Sequence, residues 1–544
     1  YRNTLYLNKG DFKFEKVTIS AIEERTRNVE KYGLPTNGMF VDYDNDSDLD
    51  LLITYAFGTP VLLQNQLAQT GTAEFKDVSK AAGLDVYTNS ITANFLDINR
   101  DGLLDLIIGN VWPKHFPDYP ADKPRKLNLY QLPEPEYEGD RRMFNFMHAS
   151  WHMADNGGVN DVLIQSEKGK FTKLDNKKIG MPEHFWSLSI GTGDMNQDGW
   201  TDLYIANDFG PDNFYLNRKG KFFEKIEGKM FGDMGKDTYK GMNSTISDVD
   251  NNGHLDVYIS NVHHELQAEG SMLWMFSENP KDKHFPLFED KATTLGALNE
   301  DRFGWGASIV DFNNDGLLDI AQANGMVDDT IDKKYDECPD YWYVNEKIAR
   351  SAPSIHRYSD KWGDIRGMCI YGNERNKLYL NTGRSKTNMF VDVADKVGLT
   401  EKTNSRGMSA VDLNNDGKLD LITTHMFATP SLFKNIMHKK TEILKRSWIG
   451  LDLRSKDSKC NSRAIGSQVK LSFKDQNGKT INMMRELQVA TGLSGQNDMR
   501  VHFGLNQSKS PVDVTINWCG RYVKTYKNLK INQYQKIILT EGKI

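Results

Sequence analysis

Six short acidic segments define the chemistry open to this chain. The first runs Asp42-Tyr43-Asp44-Asn45-Asp46-Ser47-Asp48-Leu49-Asp50, and the others begin at Asp97, Asp194, Asp248, Asp311 and Asp412. All fit D-x-[DN]-x-[DN]-[GS]-x-x-D followed by an apolar residue. Calcium takes six to eight hard oxygen ligands at about 2.3–2.6 Å. A turn with side chains at loop positions one, three and five, a carbonyl at seven and a carboxylate at nine brings most of them to one point. The spacing therefore predicts about six Ca2+ sites. Their side-chain ligands are Asp42, Asp44, Asp46 and Asp50; Asp97, Asn99, Asp101 and Asp105; Asp194, Asn196, Asp198 and Asp202; Asp248, Asp250, Asn252 and Asp256; Asp311, Asn313, Asp315 and Asp319; and Asp412, Asn414, Asp416 and Asp420. Asp48, Leu103, Trp200, His254, Leu317 and Lys418 stand at position seven, where the backbone carbonyl is the ligand.

Asp, Asn and Gly are also ordinary turn residues, so one copy would read equally well as a polar turn. Six copies with the same ligand types in register favour the metal. An EF-hand would need Glu at position twelve and a helix on each side. Here short apolar alternations follow the loop, such as Leu49-Asp50-Leu51-Leu52-Ile53 and Leu255-Asp256-Val257-Tyr258-Ile259, and apolar pairs such as Phe40-Val41 precede it. These read as strands, so each loop joins two strands.

The loops begin at residues 42, 97, 194, 248, 311 and 412. Three of the intervals suit four short strands with turns, the unit of a propeller blade. A later signature, as in Val61-Leu62-Leu63-Gln64-Asn65, Asn213-Phe214-Tyr215-Leu216-Asn217 and Lys377-Leu378-Tyr379-Leu380-Asn381, marks a third strand, and segments such as Phe75-Lys76-Asp77-Val78 mark a fourth. Each repeat should then be a four-stranded antiparallel sheet. The two long intervals hold insertions at about 111–160 and 325–376, which leave from the same strand end and should gather on one rim. Leu5-Tyr6-Leu7-Asn8 and Phe12 to Val17 match the last two strands of a repeat. The fold class is therefore all-β: a β-propeller over about 1–440, with seven blades favoured and six possible, and a small β domain over about 447–544.

Composition narrows the function classes. The formal net charge is −6 over 544 residues, but nineteen of the ligand positions are Asp, so the acidity is directed inward to metal and argues little about acidic or basic partners. No basic tract with interleaved aromatics suggests nucleic acid, and no apolar run approaches the roughly 18 residues of a membrane-spanning helix. Four cysteines, Cys338, Cys369, Cys460 and Cys519, fall as two pairs with no zinc or C-x-x-C spacing. They read as disulfides or as buried thiols. Loops of modest calcium affinity fill where calcium is millimolar, which is also where disulfides persist. The chain starts at Tyr1 rather than Met, as expected after removal of a signal peptide. Extracellular or periplasmic residence fits all three features.

The repeats resemble the FG-GAP/VCBS family, the integrin-type calcium-bearing propeller repeat. Ile205-Ala206-Asn207-Asp208-Phe209-Gly210-Pro211-Asp212-Asn213 and Arg406-Gly407-Met408 are similar to its bacterial and cartilage acidic protein branch. Arg463-Ala464-Ile465-Gly466-Ser467, Gly492-Leu493-Ser494-Gly495-Gln496, His502-Phe503-Gly504-Leu505 and Trp518-Cys519-Gly520 are similar, in order, to motifs of the ASPIC/UnbV domain. The resemblance implies an extracellular, calcium-stabilised interaction module. Cys519 stands where that domain usually has Pro, which makes a Cys460 to Cys519 bridge an economical reading. Ser47 in place of the turn Gly and Asn252 in place of a carboxylate mark the first and fourth loops as the weaker expected sites.

The remaining candidates lie around the insertion rim. His148 and His152 would share a helix face, but the Glu of an H-E-x-x-H site is missing. His263 and His264 follow a blade strand and, as strand neighbours, face opposite ways. Trp112, Trp151, Trp186, Trp274 and Trp342 lie on or near loops, where a shared patch could stack on sugars or grip a protein; singly, they would be core. The expected partner surface comprises His148, Trp151, His152, His263, His264, Tyr341, Trp342 and Tyr343. No catalytic constellation stands out. The leading reading is a secreted or periplasmic calcium-binding propeller that engages a protein or glycan. The rivals are a polysaccharide lyase or hydrolase on the same scaffold and a subunit of a larger extracellular or periplasmic assembly.

Overall fold

The computed structural model describes residues 3–116, 155–328 and 369–540, apart from 73, 236–240, 265–266, 281–284, 385, 427, 437–445, 475–477 and 479, and also describes scattered positions from 136 to 149. Period-two alternation of apolar residues gives short strands, and every acidic loop is the turn of an antiparallel hairpin. The loops join Leu34–Val41 to Asp50–Gly58, Thr88–Leu96 to Asp105–Asn110, Ser187–Gly193 to Asp202–Asn207, Asn243–Ser247 to Asp256–Ser260, Arg302–Val310 to Asp319–Asn324 and Ser405–Val411 to Asp420–His425. The register is identical throughout. The residue before the loop faces its last Asp: Val41 opposite Asp50, Leu96 opposite Asp105, Gly193 opposite Asp202, Ser247 opposite Asp256, Val310 opposite Asp319 and Val411 opposite Asp420.

Two more antiparallel strands complete five of these units as β-propeller blades; in the third they are Asn213–Asn217 and Phe223–Ile226. The sixth unit has three strands among the described residues, ending at Ser431–Phe433, rather than the expected four. The residues that would supply the next strand fall partly outside the described set. Adjacent blades pack face to face. Ile107 and Val162 of the second meet Leu203, Ile205 and Tyr215 of the third, while Tyr258 and Leu273 of the fourth meet Ile309, Ile320 and Tyr379 of the fifth. Each such side chain contributes about 1.5–3 kcal/mol by leaving water. Strands at the ring's edge stay protected because both faces are covered.

The N-terminal hairpin, Leu5–Asn8 with Phe14–Val17, follows the same logic. The Asn8 amide donates to the Leu413 carbonyl at 2.8 Å. Asn217 donates in the same way to Ile98, Asn381 to Val249 and Asn435 to Phe312, each reaching the second loop residue of the preceding repeat. The hairpin therefore stands as the third and fourth strands of a repeat that follows the sixth.

From Trp448 to Leu539 the chain forms two further sheets. Trp448–Ser455 lies between Val501–Gly504 and Tyr534–Leu539, and Gln468–Lys474 lies between Thr480–Glu486 and Val512–Trp518, with Tyr522–Leu529 outermost. Leu451, Val469, Leu471, Phe503, Val514, Ile516 and Trp518 are buried between them. A Cys460–Cys519 disulfide ties the loop before the second strand to the turn after Trp518. No helix among the described residues is long and apolar enough to cross a membrane.

This C-terminal unit sits on the acidic-loop face and sends residues 487–498 down the axis of the ring. The inner strands offer the axis small and polar side chains, and the segment bonds to five of them. Ala490 N donates to Asn94 Oδ1 at 3.1 Å, Leu493 N to Asn243 Oδ1 at 2.7 Å, and Thr245 Oγ1 to Thr491 O at 3.2 Å. Asn497 Oδ1 accepts from Ser308 Oγ at 2.8 Å and from Ala410 N at 2.9 Å. Gln496 pairs with both backbone groups of Phe40 and its own N–H donates to Ser409 Oγ, so it spans the seam between the first and sixth inner strands. Leu493 at the tip joins Trp112, Trp186 and Phe303 on the far side. A polar channel filled by backbone satisfies groups that would otherwise be buried without partners.

The closeness of this packing gives a test. A Cβ at Gly407 would lie 2.4 Å from the Ser494 carbonyl, so Gly407→Ala must push the segment outward at a cost of about 1–3 kcal/mol. Limited proteolysis should cut the variant between residues 487 and 498 faster than the parent, with a lowered melting temperature; unchanged cleavage would count against an axial plug.

Candidate metal centres

Each loop is shaped before any ion binds. Position four is left-handed in all six, at Asn45, Arg100, Gln197, Asn251, Asn314 and Asn415, and so is position six, at Ser47 (φ 83°) and at five glycines. These turns aim the next N–H groups back at the first carboxylate. Asp46 N and Ser47 N donate to the two oxygens of Asp42 at 3.0 and 2.9 Å, and Asp315 N and Gly316 N donate to those of Asp311 at 3.1 and 2.7 Å. The other four loops repeat the pair.

The position-nine carboxylate is fixed from two sides. One oxygen accepts from the backbone of position two, as Asp50 does from Tyr43 at 3.3 Å and Asp105 from Ile98 at 2.9 Å. The other accepts from an N–H at or near the end of the third strand: Asn65, Gln165, Asn217, Phe276, Asn381 or Asn435, at 2.7–2.8 Å. The recurrent L-x-x-N signature visible in the sequence is this contact, and the Asn side chain adds a bond to a loop carbonyl, as Asn65 does to Leu49. Its role is legible only once the third strand is known to pass the loop.

Burial makes these carboxylates hard to ionise alone. Desolvation pushes Asp50 up to about 8, Asp97, Asp194 and Asp311 to about 7, and Asp42 and Asp248 to about 6, with neighbouring Asp charges adding in the same direction. Asp105, Asp202, Asp256 and Asp319 lie well above the usual range for the same reason. A divalent cation removes the penalty, so the donor set fits a hard metal ion.

Convergence differs among the loops. In the first, oxygens of Asp42, Asp44 and Asp50 lie within 4.8 Å of one another, as do those of Asp248, Asp250 and Asp256 in the fourth. These are the two loops expected to be weaker. They are also the two with Asp at position three. In the second, third and sixth loops the position-three Asn turns its amide onto the position-five carboxylate, as Asn99 does to Asp101 at 2.9 Å. An Asn that donates in this way must rotate to offer its oxygen to a metal.

The C-terminal unit touches every loop. Ser462 N donates to Asn45 Oδ1 at 2.8 Å, the Ser462 hydroxyl bonds Asp42, and Arg463 reaches the Ser47 carbonyl at 3.1 Å. Arg100 of the second loop bonds the Gly520 carbonyl, and Asp194 N of the third donates to Glu486 at 3.4 Å. Arg485 donates to Asn251 at 3.3 Å, Asn506 N to the Asn314 carbonyl at 2.9 Å, and the Tyr534 hydroxyl to Asp412 at 2.7 Å. None of these contacts was foreseeable from the sequence, because each joins residues 122 or more positions apart without a shared motif.

The rim candidates look different in place. His264 stacks on Tyr371 and bonds Glu374 at 3.1 Å, while His263 Nδ1 accepts from Asp301 N at 3.2 Å. The two rings are thus committed to separate partners. Trp112, Trp186 and Trp274 are 2%, 5% and 4% exposed. These three take the core reading rather than the shared patch: Trp112 and Trp186 fold inward against Phe57, Phe146 and Phe209, and Trp274 lies on the strand Met272–Ser277 and donates to the Tyr204 hydroxyl at 3.1 Å. His148, Trp151, His152, Tyr341, Trp342, Tyr343 and Cys338 lie outside the described residues, as does the side chain of Cys369.

Fold and loops together define a propeller of FG-GAP-like repeats that carries an ASPIC/UnbV domain. Residues 42–108 and 194–259 match the FG-GAP-like repeat, and residues 457–544 match the family described as ASPIC and UnbV. Cartilage acidic protein 1 of Xenopus tropicalis is 25% identical over 192 residues, which are 31% of this chain and 27% of that protein. Its Mus musculus counterpart is 27% identical over 146 residues, or 26% of this chain and 21% of the relative. The matches thus span about a quarter of those relatives' length. Among solved structures, an ulvan lyase aligns over 93% of this chain and 96% of its own at 10% identity and a TM-score of 0.35. An exotype rhamnogalacturonan lyase aligns over 92% and 73% at 11% identity and a TM-score of 0.34. Likeness at that level carries no statement about activity.

Two outcomes follow for the loops. The raised carboxylates bind protons in the folded, metal-free chain at a pH where the unfolded chain has lost them. The metal-free fold is therefore most stable below about pH 4 and weakens as pH rises through 6 to 8. In metal-stripped protein the gain in melting temperature on adding calcium should grow from pH 5.5 to pH 8; an equal gain at both would contradict the burial argument. Ser47→Gly should raise stability by about 0.5–1 kcal/mol by relieving its left-handed backbone, whereas Asp315→Ala should lower it in the presence of calcium, both read by thermal unfolding.

Proposed function

We propose that this protein is a secreted or periplasmic calcium-binding propeller that acts as an interaction or adhesion module for a protein or glycan. About six Ca2+ ions would be held by the residues predicted from the spacing, each ion neutralising a buried loop. The observation that carries this reading is the sixfold repetition of one preorganised carboxylate geometry, since six buried acidic turns have no purpose in a fold without cations. The Cys460–Cys519 disulfide supports an oxidising compartment, and so does the likeness to cartilage acidic protein 1. The N-terminal hairpin favours seven blades.

The ASPIC/UnbV domain covers the loop face, so the face open to a partner is the opposite rim. The strands Asp105–Asn110 and Asp319–Asn324 end there and lead into both insertions. Loops on a rigid scaffold are where binding residues collect. The partner surface would comprise His148, Trp151, His152, His263, His264, Tyr341, Trp342 and Tyr343.

Capture from the native source, with bead-bound protein in calcium or in EGTA, tests the reading. A partner retained by the parent in calcium and lost with Trp151→Ala/Trp342→Ala, at unchanged calcium content and melting temperature, is the expected result. Capture that survives the double substitution would move the binding surface away from this rim.

A further inference from the structure

Between the C-terminal domain and the fourth, fifth and sixth repeats lies a partly open cavity of about 110 Å³. Its walls include Asp248, Asp311, Arg485, Glu486, Arg500 and His502. We propose that it is a binding site for a small oxyanion of phosphate size, gripped by the side-on edge of the Arg485 guanidinium.

The donors of Arg485 are unevenly used. Its Nη1 is spent on the Met484 carbonyl at 2.7 Å and on Asn251 at 3.3 Å. Its Nε and Nη2 are buried and have no hydrogen-bond partner in the protein among the described residues. Those two atoms form the fork that matches two oxygens of one carboxylate or phosphate. A charged donor pair buried without acceptors costs several kcal/mol, so a side chain held in this pose implies an acceptor in the cavity it lines.

The surrounding acids do not supply that acceptor. Both oxygens of Asp248 are capped by Asn252 N and Gly253 N, and those of Asp311 by Asp315 N and Gly316 N. Asp498 is held side-on by Arg500, with Nε to Oδ1 at 2.9 Å and Nη2 to Oδ2 at 2.5 Å. Glu486 takes Gln468 at 3.0 Å and Asp194 N at 3.4 Å on Oε2, and as the strand neighbour of Arg485 its side chain points to the other face of the sheet. The charge balance points the same way and rests on the calcium reading. Asp248 and Asp311 are the carboxylates that face Arg485 electrostatically. Once a calcium ion claims each, the guanidinium charge is left uncompensated inside the protein.

The opposite wall refines the ligand. His502 turns Nε2 to the Gly417 carbonyl at 3.2 Å, which leaves Nδ1 as a lone-pair acceptor, and that atom too is buried without a protein partner. A fork of donors together with an acceptor suits an oxyanion that keeps one proton, as hydrogen phosphate does. On the scale where a water needs about 10–15 Å³, the cavity takes a five-atom oxyanion with space for water. Bound there, the anion would join the C-terminal domain to two loops at once.

Crystals of the full chain grown in calcium and soaked in arsenate, the phosphate analogue with an anomalous signal, test this directly. The expected result is an anomalous peak in the cavity beside Arg485. Absence of that peak overturns the proposal, and calcium density in the six loops, scored separately, tells whether the metal reading failed with it. In solution, phosphate should raise the melting temperature of the calcium-loaded protein by roughly 1 °C per tenfold concentration above its Kd. Arg485→Lys keeps the charge and loses the fork, so its response to phosphate should vanish; an undiminished response would also overturn the assignment.

Discussion

Like-charged carboxylates crowded into turns with little access to water are the constraint on which this molecule is organised. Two such groups about 4 Å apart repel by roughly 1 kcal/mol in bulk water and by about 4 kcal/mol at the effective dielectric of a protein surface. In the first and fourth loops oxygens of three such groups lie within 4.8 Å of one another, and the backbone donors around Asp42 or Asp311 orient the charges without cancelling them. Only cations reconcile this arrangement with the ionised state at neutral pH. The hairpin register, the left-handed turn residues and the third-strand contact to the ninth loop position all serve that single geometry.

The same constraint explains the placement of the second domain. A ring of acidic turns presents fixed carbonyls and carboxylates at one face, and the ASPIC/UnbV domain reads them with Ser462, Arg485, Asn506 and Tyr534. Its 487–498 segment then closes the axis, which removes the channel as a route or a pocket. Stability of the propeller and docking of the domain are thereby linked, because distortion of any loop is felt at the interface. The strands Asp105–Asn110 and Asp319–Asn324 end on the opposite rim, away from this domain.

The acidic loops were legible in the sequence because their ligands lie within nine residues and because a turn must repeat its residue types to repeat its shape. Strand hairpins followed from alternation on either side, and the Cys460–Cys519 bridge from two cysteines unusual for the domain. The axial plug was not legible. Its contacts, such as Ala490 with Asn94, cross 396 residues, and a Gly-Leu-Ser-Gly-Gln run looks like any loop until the channel that receives it is known. The tryptophans left two readings open for a related reason: Trp112 and Trp186 lie in loop sequence and fill a rim core, and burial of a loop residue depends on what stands opposite. The two loops marked as weak by single substitutions proved to be those whose third-position Asp brings three carboxylates together.

Native mass spectrometry of the full chain, stripped of metal and then equilibrated with millimolar calcium, puts the central claim to its most direct test. The account predicts six bound calcium ions per chain. Two ions or fewer at saturation would contradict it.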